Sequence, residues 1–286
     1  MAIDYQSLVQ RRFPVVEHAY TARDTILYAL GFGLGADPLD AGQLAFVYED
    51  GLRALPAMAN ILGYPGFWAR EPDTGIDWRR LVHAEQSFIL HKPLPASGRV
   101  MGHNRVSALY DKGPGKAALL CQERQVVDAA TGEALATLNQ ITMLRGQGGF
   151  GGPADSPPPP HPMPDRAADA VCDLPTLPQA ALIYRLSGDD NPLHVDPAVA
   201  RAAGFARPIL HGLCTMGIAC HAVLRTLLGY DPAAVRGMRV RFTAPALPGE
   251  TIRTEIWQDG AVVSFRSTAL ERGAVVLDAG RLDLRA

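Results

Sequence analysis

The sequence carries no block of Lys or Arg, and its 27 basic and 29 acidic residues leave a net charge of −2. It lacks the electrostatic footprint that nucleic acid or an anionic membrane surface requires, which leaves a small molecule or another protein as partner. Cysteine is scarce: Cys121, Cys172, Cys214 and Cys220 form no CxxC pair. The 214/220 spacing fits no zinc pattern, so neither a structural metal nor a disulfide framework is expected, and the thiols read as reduced and buried. No apolar run reaches the ~18 to 20 residues of a membrane span. The N-terminus lacks a basic start leading into an apolar core, and the closing Leu-Asp-Leu-Arg-Ala carries no peroxisomal or retention signal. A cytoplasmic location is the expectation.

What the chain does have is material for a core. Its 286 residues are 48% hydrophobic and 20% charged, an ordinary globular balance at a length that fits two domains. Composition marks the boundary. Positions 146–165 hold five glycines and seven prolines, four of them consecutive at 157–160, and cannot form a packed element. They read as a tether of roughly 3 Å per residue when extended, since no basic or aromatic residue lies close beside the prolines to make a docking motif. The chain divides into units 1–145 and 166–286.

The two units share a pattern. In the first, helix-like stretches run from a cap at Thr21 or Asp24 to Leu34 and over 55–62, and strand-like segments follow at 87–91, 100–110, 117–127 and 134–144. In the second, an apolar run at 213–228 precedes strands at 238–244, 251–258, 262–271 and 275–285. Phe88-Ile-Leu-His-Lys-Pro-Leu-Pro, closing at Gly98, corresponds to Val240-Arg-Phe-Thr-Ala-Pro-Ala-Leu-Pro, closing at Gly249. A helix followed by four antiparallel strands, twice, is an internal repeat of α+β type in which each sheet wraps a buried helix. The 213–228 run is apolar on nearly every side and belongs in the interior. His221 and Arg225 read as a polar patch near its exit. Gly31, Gly33 and Gly35 follow a helix-like run rather than a strand, the wrong context for a dinucleotide loop.

The chemistry concentrates in Tyr184-Arg-Leu-Ser-Gly-Asp-Asp-Asn-Pro-Leu-His194. Asp189 and His194 stand about 16 Å apart in an extended chain, so a turn must bring them together. Pro192 holds Asn191 away from helical backbone, and an Asn or Asp side chain commonly closes such a turn. Downstream, His211-Gly212 opens the buried helix, where backbone N–H groups are unpaired and the dipole favours negative charge. Aligning the helix entries sets Leu55-Pro56 opposite His211-Gly212, and proline has no N–H to give. One unit is equipped for chemistry and the other is stripped of it. Asp190 reads as a solvated neighbour, Tyr184 as an anchor of the loop through its hydroxyl, and His91, His103 and His161 as surface or structural.

The 184–194 stretch, followed by Gly204-Phe-Ala-Arg-Pro-Ile-Leu-His-Gly-Leu-Cys-Thr, resembles the signature of the (R)-specific 2-enoyl-CoA hydratases, or hydratase 2 enzymes, of the MaoC-like dehydratase family, and the likeness covers nearly the whole chain. The resemblance implies a double hot-dog fold and hydration of a trans-2-enoyl-CoA to a (3R)-3-hydroxyacyl-CoA, with no metal or redox cofactor and a homodimeric assembly. It places Asp189 and His194 as the catalytic pair, Asn191 as the residue orienting them, and Gly212 as the oxyanion donor. Substrate contacts would fall on His83, Ala84, Lys112, Tyr184, His211 and Phe242. His83-Ala84 departs from the His-Gly of relatives. By themselves, Lys112 in a Gly/Pro hairpin tip reads as a surface lysine, and Phe242, alternating with Val240, as a core residue.

Water addition across an unsaturated thioester needs a base to activate water at C3, an acid to protonate C2, and a donor for the charge gathering on the thioester oxygen. Free Asp and His titrate near 3.9 and 6.5, so at neutral pH they begin as carboxylate and mostly neutral imidazole, a state suited to activating water. The first unit's Leu55, Ala57, Met58 and Ile61 are expected to line an acyl tunnel. Hydration of a different thioester, such as a steroid side-chain, branched or dicarboxylic acyl-CoA or an acyl-carrier-protein substrate, a non-catalytic acyl-CoA-binding module and a hot-dog thioesterase are the competing readings.

Overall fold

The computed structural model describes residues 3–285; residues 1, 2 and 286 lie outside the description. The strands are β1 (Val16–Tyr20), β2 (Leu81–Leu90), β3 (Gly98–Asp111), β4 (Ala118–Asp128), β5 (Ala134–Leu144), β6 (Ala170–Pro175), β7 (Val235–Phe242), β8 (Thr251–Asp259), β9 (Val262–Ala269) and β10 (Ala274–Leu284). The helices are α1 (Tyr5–Val9), α2 (Ala22–Leu30), α3 (Ala41–Leu44), α4 (Ala180–Tyr184), α5 (Pro197–Ala202) and α6 (Gly212–Leu227). All ten strands join one antiparallel sheet in the order β1-β3-β4-β5-β2-β7-β10-β9-β8-β6. Each half has its first strand at the edge and its second at the midline. There β2 pairs with β7, Glu85 opposite Arg241 and Ile89 opposite Gly237. This is the expected α+β double hot dog, with one strand more per half. β1 and β6 are only five and six residues long, too short for an alternating pattern to stand out.

The halves differ in what they enclose. α6 runs for 16 residues and every side chain from 214 to 224 is buried, as its all-round apolar character requires. At the matching place the 55–62 run forms only a six-residue 3₁₀ helix, Pro56–Ile61, instead of the α-helix expected. The chain leaving this turn lies directly on β3: a Cβ added to Gly102 would fall 2.3 Å from the carbonyl oxygen of Gly63. α2 ends at Leu30, short of Leu34, and its start is held by the Asp24 carboxylate, which accepts from the Thr21 N–H and hydroxyl. His221 is no exit patch. It is 1% exposed, its Nδ1–H donates to the Phe32 carbonyl at 3.0 Å, and burial pushes it down to about 4; Arg225 alone faces solvent.

Between β5 and β6 the Gly/Pro-rich segment has neither helix nor strand, yet several of its groups are paired with the rest of the fold. The Gly149 and Gly151 N–H groups donate to the Asp111 carboxylate, the Pro153 carbonyl accepts from the Asp111 N–H, and the ring Nε2 of His161 sits 2.7 Å from the Ser264 hydroxyl on β9. All four cysteines are free and buried. Among the described residues no helix is long and apolar enough to cross a membrane.

α6 touches α2's exit so closely that a Cβ on Gly217 would lie 2.4 Å from the Phe32 ring, itself wedged against Tyr28 and Tyr184. Gly217→Ala gains about 1 kcal/mol of helix propensity but overpacks a closed site, which costs about 1 to 3 kcal/mol. The variant is expected to show a lower urea midpoint at unchanged m-value; a midpoint at or above that of the parent would contradict this packing.

Candidate active site

The chain enters the site from α4, whose last residue is Tyr184, through a short 3₁₀ turn to Gly188 at φ +107°. Only glycine adopts that backbone freely, and it swings Asp189 back toward α6. The Asp189 carboxylate accepts the Asn191 N–H at 3.3 Å, and the Asn191 side chain accepts the Leu193 N–H at 3.2 Å, capping the Pro192–His194 turn. Asn191 thus orients Asp189 through its backbone and His194 through its side chain. With the stretch folded this way, Asp189, His194 and His211 bring polar atoms within 4.8 Å of one another. Two acceptors that share one water at ordinary hydrogen-bond length and tetrahedral angle stand about 4.6 Å apart.

Two imidazoles fill the floor. His194 is 9% exposed and its Nδ1 lies 2.9 Å from the Ile209 carbonyl oxygen. A carbonyl only accepts, so Nδ1 carries the proton and Nε2 presents a lone pair. Burial, opposed by that hydrogen bond and by the Asp189 charge, holds the His194 pKa below the ordinary imidazole value. His211 stacks on it with ring centroids 3.7 Å apart and planes 27° off parallel. Its Nε2–H donates to the Asp189 main-chain carbonyl at 3.2 Å, and burial together with the neighbouring His194 pushes it down to about 3. His211 is therefore a neutral brace for the Asp189 turn. The Tyr184 ring packs on His211 at 4.8 Å while its buried hydroxyl has no partner, so Tyr184 supports the loop by packing and not through the hydrogen bond expected of it. The stacked rings aim their nitrogens along near-parallel planes and His194 Nδ1 is committed to Ile209; this arrangement fits proton transfer better than the converging cage of a metal site.

The third component is the start of α6. No side chain caps it, so its first N–H groups remain available to a ligand and carry the positive end of the helix dipole. Gly212 keeps this approach open, and a Cβ there would sit 3.1 Å from the Phe242 ring. Phe242 in turn meets the His83 ring at 4.8 Å. Ala84 occupies a β-bulge in β2, where the pairing with β5 shifts between His83 and Glu85, an irregularity that re-aims His83 toward the site. His83, Ala84, Phe242 and Gly212 thus form one continuous wall. Lys112 does not join them. Its ammonium group donates to the Ala154 and Asp155 carbonyls and to Ser156.

Asp190 is exposed, as is His103, and His91 bonds to Thr137 at the surface. Of the four residues expected along an acyl tunnel, Leu55, Ala57 and Met58 are fully buried in the main core and Ile61 packs partly buried against it. A small cleft of about 20 Å³, room for a single water, lies beneath residues 64–68 and is lined by Tyr64, Trp68, Gln86, Gln122, Glu123, Arg124 and Gln140. It adjoins the site through Gln86, whose side-chain oxygen accepts from His83 Nε2 at 3.1 Å. These residues were missed because polar side chains on strands read as solvent-facing. The signal was their phase: Gln86 falls two before the core residue Phe88, and Gln140 two after the core residue Leu138.

Residues 161–279 match the family model described as a MaoC like domain, and residues 18–146 match that of the MFE-2 hydratase 2 N-terminal domain. The chain is 41% identical over 269 residues to enoyl-CoA hydratase ChsH3 of Mycobacterium tuberculosis, covering 91% of each. It is 37% identical to peroxisomal enoyl-CoA hydratase 2 of Arabidopsis thaliana, over 97% of this chain and 94% of that one. A crystal structure of a MaoC-like dehydratase from Phytophthora capsici superposes with a TM-score of 0.86 at 32% identity, over 99% of this chain and 98% of that one. With a two-half likeness of this extent, the chain belongs to the MaoC-like dehydratase family of hydro-lyases, in its hydratase 2 group.

Proposed function

We propose that the protein hydrates a trans-2-enoyl-CoA to a (3R)-3-hydroxyacyl-CoA, and catalyses the reverse dehydration, at the site formed by Asp189, His194 and the start of α6. The observation that carries this reading is the convergence of the Asp189 carboxylate and an imidazole with a free Nε2 beside an uncapped helix start. The pair holds one water. One member takes a proton as the water oxygen bonds to C3, and a proton returns to C2, so the pair ends the cycle in its starting state. The Gly212 N–H receives the negative charge of the thioester oxygen, and one such donor is worth about 3 to 4 kcal/mol. No metal or redox cofactor enters the scheme. His83, Ala84, Phe242, Tyr184 and His211 shape the acyl side of the site, and we assign Lys112 to a CoA contact only by its place in the family pattern. A homodimer and a cytoplasmic location complete the proposal.

Asp189→Asn and His194→Gln should each lower kcat for crotonyl-CoA hydration by about 10² to 10⁴-fold with unchanged far-UV circular dichroism; near-parental turnover in either would end the assignment. Because burial lowers His194, its base form persists below the ordinary imidazole value near 6.5. The acid limb of kcat/KM should therefore have its midpoint below pH 6.5, and a midpoint above 6.5 would mean that His194 is not the base. Light scattering should give twice the monomer mass.

A further inference from the structure

The first half reaches the active site through a buried chain of side chains. Asn60, on the 3₁₀ helix, is 1% exposed and Gln86, on β2, is 2% exposed. The Asn60 side-chain NH₂ donates to the Met216 sulfur at 3.6 Å, the Gln86 NH₂ donates to the Asn60 side-chain oxygen at 3.0 Å, and the Gln86 oxygen lies 3.1 Å from His83 Nε2. Met216 belongs to α6, about one turn beyond Gly212. Arg124 Nη1 anchors the 3₁₀ helix by donating to the main-chain carbonyls of Asn60 and Leu62. The chain therefore runs from the interior of the catalytic helix, through the first half, to the wall that His83 and Phe242 form beside Gly212.

Two linked carboxamides can be ordered in either sense, and the groups at their ends decide which. A thioether has no hydrogen to give, so Asn60 must turn its NH₂ toward Met216. Its oxygen is then the acceptor for the Gln86 NH₂, and the Gln86 oxygen faces His83. That oxygen only accepts, so the His83 proton stands on Nε2 and Nδ1 is a lone pair. The reverse order would put the proton on Nδ1 for the nearby Glu85 carbonyl, but it would bury the Asn60 oxygen against a sulfur with nothing to donate, a penalised arrangement. Burial pushes His83 down to about 4, so the ring is neutral at pH 7. Nδ1 has no hydrogen-bond partner among the described residues and, unlike Nδ1 of His211, it is not sealed from solvent.

Resting on the hydratase reading above, we propose that Asn60 and Gln86 are positioning residues: with Met216 as their fixed end, they hold His83 in its Nε2–H tautomer, so that the wall beside Gly212 offers the substrate an acceptor. The enoyl group and the thioester carry no N–H or O–H. The nearest donor on an acyl-CoA is the amide N–H two carbons beyond the thioester sulfur, and this is the group His83 Nδ1 accepts while its ring walls the acyl side. The half that lacks the catalytic pair thereby sets the register of the substrate against α6.

The test has a spectroscopic and a kinetic arm. NMR of the full chain labelled with ¹⁵N-histidine, with His83 assigned by the signals lost in His83→Asn, should show the Nε2–H tautomer at pH 7; the Nδ1–H tautomer overturns the inference. The kinetic arm compares the crotonyl thioester of N-acetylcysteamine with its N-methylated counterpart, which has no amide N–H. The N–H thioester should be favoured in kcat/KM by about two- to tenfold, the usual worth of one neutral hydrogen bond. Gln86→Leu should mix the His83 tautomers and shrink that preference toward unity. Should that variant fail to fold, Met216→Leu, which keeps the apolar volume and removes the acceptor at the fixed end, should change both readouts in the same direction. Equal use of the two thioesters by the parent, or an unchanged tautomer and preference in a folded variant, overturns the inference and leaves the hydratase reading intact. Hydration of neither thioester nor of crotonyl-CoA overturns both.

Discussion

Among the described residues one long helix packs inside the ten-stranded sheet. α6 buries eleven consecutive residues there, so the second half's helix sets where much else must go. Its start fixes where the Gly212 N–H stands, its contact with Phe32 holds the end of α2, and the first half has at the matching place a six-residue 3₁₀ turn. The two helix entries share one backbone conformation: Leu55 has φ −65° and ψ 137°, His211 φ −59° and ψ 137°. The backbone is the same; Pro56 removes the N–H that Gly212 supplies.

Burial controls protonation here as well as packing. His194, His211 and His221 all sit at 9% exposure or less, and desolvation lowers each. Their carbonyl partners assign the tautomers: His194 gives Nδ1–H to Ile209, His211 gives Nε2–H to Asp189, and His221 gives Nδ1–H to Phe32. His194 and His211 each keep a second ring nitrogen without a protein partner, Nε2 in one and Nδ1 in the other, and both rings lie within 4.8 Å of the Asp189 carboxylate.

Much of this was legible in the chain. The duplicated α+β pattern, the buried 213–228 helix, β5 at 134–144 and the turn at Pro192 follow from periodicity and from proline and glycine chemistry, which act over a few residues. The 3₁₀ turn at Pro56–Ile61 was not, because local propensity favours an α-helix there and the shortage of interior space is a tertiary effect. Likewise His221 and Tyr184 looked like exposed or hydrogen-bonding groups until packing placed one against Phe32 and the other, hydroxyl unsatisfied, against His211. The alignment of Gln86, Gln140 and Gln122 across β2, β5 and β4 was invisible for a third reason. Each residue is unremarkable alone, and only cross-strand register sets the three side by side.

The central claim is that Asp189 and His194 flank one water on one side of the substrate, with the thioester oxygen held at the start of α6. Both the hydroxyl and the new proton must then reach the double bond from the same face. Hydration of crotonyl-CoA in D₂O, with the product read by NMR, tests this most directly. The account predicts a single (3R)-3-hydroxyacyl-CoA diastereomer carrying deuterium at C2 from syn addition; anti addition, or a mixture at C2, would contradict it.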